Sequence, residues 1–189
     1  RQVLSARRGV LLSAGAVNTP QLLLLSGIGP GVDLRALGLP VVTDLPGVGR
    51  NLQDHLACGI GWQCRRPLSR PGTPGPLDLL RYLLLRRGPL TSNVAEAAAF
   101  VEGTDGDPRP PLEILFGPAW FAQHGFDPRP GHYFTIGAIL LRPASRGAVT
   151  LRSTDPFEAP RIDPRSFSVD SDLDRMVEGL RMVRRIAET

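Results

Sequence analysis

The sequence contains no lysine, so all 22 of its basic residues are arginine. Together with 21 glycines and 19 prolines, this bias is typical of GC-rich coding rather than of one particular function. The formal net charge is +4, but the arginines are scattered and mostly lie near acidic residues. Because no basic stripe is interleaved with aromatic residues, we predict that nucleic acid is not a partner.

Cysteine and histidine are scarce, and neither is spaced as a metal site requires. Cys58 and Cys64 lack the paired spacing of a zinc site, and the three histidines follow no ligand pattern. We therefore predict no metal, two free thiols in a reducing compartment, and a cytoplasmic location. The sequence has no apolar run of about 18 residues and no convincing signal peptide, so we expect no membrane span and no membrane association.

The stretch GAVNTPQLLLLSGIGP predicts a short, tightly bounded helix. Thr19 followed by Pro20 is typical of an N-cap with proline at the first helical position. Gly27 offers a left-handed stop, and Pro30 prevents continuation of the helix. Leu22–Leu25 would cover every side of this helix, so we expect it to be buried on most faces.

The segment before this helix predicts a strand. Gly9–Ser13 is a brief apolar run bounded by small residues, which fits a buried strand of a parallel sheet. Strand, tight turn and helix together make one half of a β-α unit. The start of the helix is then a natural place for a phosphate or another anion.

The remaining chain predicts a mixture of strands and helices. Leu173, Met176, Val177, Leu180, Val183 and Ile186 should share one face of a final helix, with a capping box at Ser171 and Asp174. The other predicted elements are a helix near Val32–Leu37, a strand at Val41–Val42, a strand over ACGIGWQCR, a helix over LDLLRYLLLRRG, and strands over SNVAEAAAFV, LEILFG, YFTIGAILLR and GAVTLRS.

Several segments resemble the glucose–methanol–choline (GMC) oxidoreductases, in particular their choline dehydrogenase-like members, so the resemblance implies an alcohol dehydrogenase or oxidase of the choline type. GAVNTPQLLLLSGIG is similar to the second signature of that family, and LPGVGRNLQDH resembles the segment that follows it. LLRPASRGAVTLRSTDPFEAPRIDP resembles strands of the family's substrate domain. The resemblance covers nearly the whole chain in order, and its first segment is long and specific.

The resemblance implies an α+β fold with an α/β portion. Residues 1–55 would be part of a Rossmann-like FAD-binding domain, and residues 56–165 an antiparallel-sheet substrate domain. Residues 166–189 would form a helix at the return towards the FAD domain. FAD is the implied cofactor and a small-molecule alcohol the implied substrate, whose hydride passes to the flavin. Oxygen or another carrier would then reoxidise the flavin.

The same resemblance suggests residues of the site. Ser13, Ala14 and Gly15 are candidate FAD neighbours because small residues permit close backbone approach, although strand–helix packing would explain them equally well. Asn51, Asp54 and His55 are further candidate cofactor residues, with a structural loop role for Asp54 and His55 favoured over acid–base catalysis.

Two further residues are candidates for substrate binding. Glu96 lies among alanines on a predicted strand, where it could hold a cationic alcohol of the choline type or form an inter-strand salt bridge. Arg142 could face the substrate or form a surface ion pair. His124 and His132 flank a Pro/Gly-rich loop and are more readily explained as solvated or structural residues than as catalytic ones.

Two expected parts of the family pattern do not occur in this sequence. The G-x-G-x-x-G loop that receives the FAD pyrophosphate is not found, and no residue matches the catalytic histidine, which we expect beyond Thr189. We therefore interpret the chain as an internal fragment that is inactive alone. A same-fold lyase that contains FAD, or a non-catalytic membrane-surface or interaction module, remains as an alternative. For the LDLLRYLLLRRG helix, a lid or core role is favoured over a membrane-surface role.

Overall fold

The structure is a computed structural model, and it describes residues 5–66, 74–102, 108–122 and 129–189. Packing divides the chain into two compact units. Unit 1 comprises Arg1–Gln53 and Ser145–Ser166, and unit 2 comprises Asp54–Ala144 and Phe167–Thr189. The predicted segments differ from this division at one place in particular, because residues 145–166 pack with the first 53 residues. The assignment of cofactor and substrate roles to these segments stays a prediction.

Unit 1 contains two helices, a short parallel strand pair and a three-stranded antiparallel sheet. Leu24, Leu34 and Val149 are its most buried apolar side chains. In chain order its elements are α1 (Gly15–Leu25), β1 (Ile28–Gly29), α2 (Gly31–Ala36), β2 (Thr43–Asp44), β3 (Arg50–Leu52), β8 (Gly147–Thr150) and β9 (Arg161–Asp163). Strands β1 and β2 pair in parallel, and β8 lies between β3 and β9.

Unit 2 is a four-stranded antiparallel sheet in the order β4-β7-β6-β5, with a long helix against one face. Its elements are β4 (Leu56–Gln63), α3 (Pro76–Leu85), a 3₁₀ turn (Pro89–Thr91), β5 (Ala97–Val101), β6 (Leu112–Gly117), β7 (Tyr133–Leu140) and α4 (Asp170–Glu188). Met176 and Val183 of α4 join the core formed by Leu112, Ile114, Ile136, Ala138 and Leu140. The predicted α+β fold class is confirmed.

The packing of α4 on the sheet depends on a glycine that the periodicity did not identify. A Cβ atom at Gly179 would lie 2.9 Å from the Cβ of Ala138, so the helix approaches the sheet closely at this point. The buried positions of α4 are Asp172, Met176, Gly179 and Val183, whose spacing follows one helical face.

The predicted apolar face of α4 is therefore wrong in part. Leu173, Val177 and Ile186 are exposed, since they lie beside the line of closest approach to the sheet rather than on it. The predicted capping box is also wrong, because α4 begins at Asp170 with no side-chain cap, and Ser171 already lies inside the helix.

The strand predicted at Gly9–Ser13 does not form. Val10 and Leu11 are 78% and 94% exposed in an irregular segment. A strand requires a neighbour for its N–H and C=O groups, and no strand in the described parts of the chain pairs with this segment. The run is apolar enough for a strand, but the chain as described supplies no sheet for it.

The leucine helix begins earlier than predicted and is less buried. It starts at Gly15, so Pro20 lies inside it and Thr19 is not its N-cap. Proline removes one backbone hydrogen bond there, and the carbonyl thus freed belongs to exposed Ala16, where water can satisfy it. Of the four leucines only Leu24 is buried, since α1 packs on unit 1 along one side.

The remaining predictions for elements hold with small displacements. Gly27 adopts the expected left-handed conformation, with a φ of 78°. The strand predicted at Val41–Val42 forms two residues later, at β2, and the short strands β1 and β3 were not predicted. Much of the Pro/Gly-rich loop after Arg66 lies outside the described residues. Within the described ranges, no helix is both long enough and apolar enough to cross a membrane.

Candidate functional site

The start of α1 is an open cradle of small residues. Ser13, Ala14 and Gly15 are all exposed, and Gly15 has a φ of 83°, which favours glycine. A Cβ atom added at Gly15 would meet no atom within 4 Å. The N–H groups of the first helical turn have no partner inside the helix, so this end can receive an electronegative group.

Thr19 shapes this cradle from within the helix. Its hydroxyl oxygen accepts a hydrogen bond of 3.0 Å from the backbone N–H of Ala14. That bond uses the one N–H group just before the helix and holds Ala14 against α1.

A groove of about 320 Å³ lies beside the start of α1 within unit 1. Asn51 forms part of its wall in the left-handed conformation, with a φ of 59°, which asparagine adopts more readily than most residues. The other lining residues are Ala16, Pro20, Gly49, Arg50, Leu52, Gln53 and Val149. Of the predicted cofactor residues, Asn51 is thus the one that lines a groove next to the small-residue cradle.

Arg50 is a lining residue of this groove that was not among the residues predicted from the sequence. Its guanidinium Nη2 lies 2.6 Å from Oδ2 of Asp33, and both side chains are about half exposed. Because the pair is exposed, it contributes little to stability. Arg50 also borders a second groove of about 320 Å³, lined with Leu24, Asp33 and Leu34 among others.

Gly49 is a second lining residue that was not predicted from the sequence. It has a φ of 75°, and a Cβ atom there would lie 2.2 Å from the carbonyl oxygen of Val149. The glycines of the quoted segment LPGVGRNLQDH were the available signal. Such glycines are typical of a turn, but they do not indicate that β8 approaches closely behind it.

Asp54 and His55 do not form an acid–base pair in this structure. Both are exposed, and the backbone N–H of His55 donates a 2.9 Å hydrogen bond to Oδ1 of Asp54. The carboxylate therefore organises the local backbone just before β4. This geometry agrees with the structural loop role that the sequence favoured, while their proximity to a cofactor stays a prediction.

Glu96 does not lie in a strand, although the segment that contains it was predicted as one. It is exposed and precedes β5, and its carboxylate accepts a hydrogen bond from the Ser92 hydroxyl. The desolvation cost that made it unusual in sequence does not arise, because water reaches the side chain. Its backbone N–H donates to the carbonyl of Phe116, which extends the pairing of β5 with β6.

The other polar candidates belong to unit 2. Arg142 is half-buried just after β7, and His132 is half-buried just before that strand. His124 lies outside the described residues. Cys58 and Cys64 are free thiols, as predicted. No group of three metal-binding side chains is found among the residues that the structure describes.

Comparison with family models matches both ends of the chain to one family. Residues 1–57 match the N-terminal model of the GMC oxidoreductases, and residues 143–189 match the C-terminal model. Together these matches cover more than half of the chain. The chain belongs to the GMC oxidoreductase family. The family predicted from the sequence is therefore confirmed.

Relatives agree with this assignment over the full length of the chain. A GMC-type oxidoreductase of Mycobacterium tuberculosis is 45% identical over 99% of this chain, which covers 36% of that relative. An acceptor-dependent alcohol dehydrogenase of Pseudomonas putida is 40% identical over 94% of this chain and 33% of the relative. The chain thus spans about a third of the length of the relatives it matches.

A solved structure confirms the fold. Formate oxidase of Aspergillus oryzae, studied for modification of its FAD, superposes with a TM-score of 0.82 at 30% identity. The match covers 95% of this chain and 37% of formate oxidase. The GMC family match at residues 1–57 includes both the cradle at α1 and the segment that carries Asn51 and His55.

Proposed function

We propose that the protein to which this chain belongs is an FAD-dependent oxidoreductase that oxidises a CH–OH group of a small alcohol. The observation that carries the proposal is the open cradle at the start of α1, which lies next to the Asn51 groove inside a segment matched by the family model. The alcohol dehydrogenase relative of Pseudomonas putida supports the alcohol as the substrate class.

The residues at the cradle fit part of a flavin nucleotide. Ser13, Ala14 and Gly15 are small and exposed, so a bulky planar or phosphate-bearing group can approach their backbone. The first-turn N–H groups of α1 supply partial positive charge, and the guanidinium of Arg50, which is paired with Asp33, lies on the neighbouring wall. Asn51 can donate and accept hydrogen bonds at the groove.

The following segment offers two further residues for the cofactor. Asp54 and His55 are exposed just before β4, and the Asp54 carboxylate accepts a hydrogen bond from the backbone N–H of His55. We place them near FAD on the strength of the family resemblance. Bound FAD would supply the acceptor for the hydride of the alcohol carbon, and this chain's residues would hold and orient it.

For the substrate, Glu96 and Arg142 remain the candidate binding residues. Glu96 is exposed and carries a negative charge, which is of the sign that a cationic alcohol such as choline would require. Arg142 is half-buried and would suit a polar or anionic alcohol instead. We expect the base that takes the hydroxyl proton to come from a histidine outside this chain, and oxygen or another carrier to reoxidise the flavin.

The test of this function uses the full-length protein, with its flavin followed by absorbance in the absence of oxygen. We expect a panel of cationic and neutral primary alcohols to include at least one that bleaches the flavin stoichiometrically. A flavin-containing protein that no alcohol bleaches would favour the same-fold lyase. A protein that binds no flavin would favour the non-catalytic module.

The cradle has its own prediction. Replacing Ala14 with leucine should weaken FAD binding by about tenfold or more, which corresponds to 1.4 kcal/mol, because the added side chain occupies the open space at the helix start. The matched control is Ser26→Leu, which adds the same side chain at the exposed opposite end of α1. Equal FAD dissociation constants for the two variants would contradict the assignment of the cradle to the cofactor.

A further inference from the structure

Helix α3 exposes leucine side chains all along its length. None of its ten residues is buried among the described residues of the chain. Six leucines are at least half exposed, namely Leu77, Leu79, Leu80, Leu83, Leu84 and Leu85. These residues do not join a core formed by the described residues, and the lid or core role stays a prediction.

The leucines are concentrated on the outer side of the helix. At 100° per residue, Leu80, Leu83 and Leu84 share one face, flanked by Leu77 and Leu79. We call these five residues the leucine face. The half-buried residues of α3 are instead polar ones on the opposite side, Asp78 and Tyr82. The apolar side of this helix therefore faces outwards, whereas a helix that packs on its own domain turns its apolar side inwards.

Positive charge accompanies the leucine face. Arg81, Arg86 and Arg87 are exposed, and the guanidinium of Arg86 lies 5.2 Å from the centre of the Tyr82 ring. The one acidic residue of the helix, Asp78, accepts a hydrogen bond from the N–H of Gly75 and lies at the opposite end. The charged residues in the C-terminal half of the helix and at the two positions directly after it are thus all basic.

We propose that α3 binds the surface of an anionic lipid membrane, with the leucine face inserted and the arginines at the headgroups. Exposed leucines with adjacent arginines are the two features that interfacial helices combine. Ten residues span only about 15 Å, half the thickness of the hydrocarbon core, so the helix would lie along the surface rather than cross it. Charge complementarity between the arginines and anionic lipids favours this partner.

The experiment uses the full-length protein and co-sedimentation with vesicles. We expect binding to phosphatidylcholine vesicles that contain phosphatidylserine, weaker binding to pure phosphatidylcholine, and weakening as ionic strength rises. The double variant Leu80→Asp/Leu84→Asp should bind at least about tenfold less tightly, because burial of the two leucines together contributes at least that factor. Arg81→Gln/Arg87→Gln should remove the preference for phosphatidylserine.

The control is Leu173→Asp on α4, where the leucine is 49% exposed compared with 51% at Leu80. It should leave vesicle binding unchanged. Failure of the full-length protein to bind vesicles would overturn the proposal, as would equal loss of binding in the control. Unfolding of the double leucine variant would also overturn the proposal, because it would show that another segment covers the leucine face. If the unchanged protein is a dimer that this variant dissociates, the leucine face belongs to an interface with a second copy, and the proposal is likewise overturned. These outcomes do not depend on flavin bleaching, so the proposal stands or falls separately from the proposed enzyme.

Discussion

Gly49→Ala is expected to destabilise unit 1 by about 3 kcal/mol. Alanine in the left-handed conformation costs about 1–2 kcal/mol, and Gly49 has a φ of 75°. The new Cβ atom would also lie 2.2 Å from the carbonyl oxygen of Val149, so β8 must move. That movement threatens the 2.7 Å hydrogen bond from the Val149 N–H to the Gly49 carbonyl, worth about 1 kcal/mol.

The measurement is the urea unfolding midpoint of the full-length protein, with Gly47→Ala as the control. Gly47 lies two residues away, has no positive φ, and an added Cβ there meets no atom within 4 Å. The control should change stability by less than about 0.5 kcal/mol. If the two variants unfold at the same midpoint, Gly49 is not the constraint that this structure indicates. Since Gly49 also lines the Asn51 groove, we expect its variant to bind FAD more weakly.

Asp172→Ala is expected to destabilise unit 2 by about 2–3 kcal/mol. The side chain is fully buried at the start of α4, and its Oδ1 accepts a 2.7 Å hydrogen bond from the backbone N–H of Ala144. Hydrogen bonds to charged groups contribute about 1.5–3 kcal/mol, and alanine would leave a donor without its acceptor. The bond joins α4 to the segment after β7, so its loss loosens the helix from the sheet.

Asp174→Ala provides the comparison for this prediction. Asp174 is exposed near the start of the same helix, so its charge interacts with the same helix terminus without a buried hydrogen bond. Its removal should cost at most about 1 kcal/mol. Thermal unfolding of both variants, followed by circular dichroism, distinguishes the two effects. Similar melting temperatures would show that the buried hydrogen bond of Asp172 contributes no more stability than a carboxylate near the start of the helix.

These two residues illustrate what the sequence patterns could not reveal. The capping-box pattern selected Ser171 and Asp174, whereas the residue that fixes the start of α4 is Asp172. A carboxylate at a helix start looks the same in sequence whether it is exposed or buried. Its role is decided by the loop after β7, which comes 28 residues earlier in the chain.

Only part of the candidate site could be predicted from the sequence. The small residues before α1 and the glycine-bracketed segment after β2 were both identified, since each pattern is local and carries its own backbone chemistry. Arg50 was not selected, because only the folding of β3 against β8 brings it to the groove beside Ala16 and Pro20. Glu96 was predicted on a strand, but it lies just before the edge strand β5 and is exposed, which an alanine-rich sequence alone does not indicate.

The sequence by itself determined the family, the α+β class and most helices and strands, since those depend on residues within a few positions of one another. Tertiary structure alone decided which segments are buried. Gly9–Ser13 is apolar but forms no strand in the described chain, the leucines of α3 face outwards, and residues 145–166 join unit 1 rather than the segment before them. The physical reason is that hydrophobicity and hydrogen-bonding capacity belong to a residue, whereas burial and pairing require a partner that local sequence does not specify.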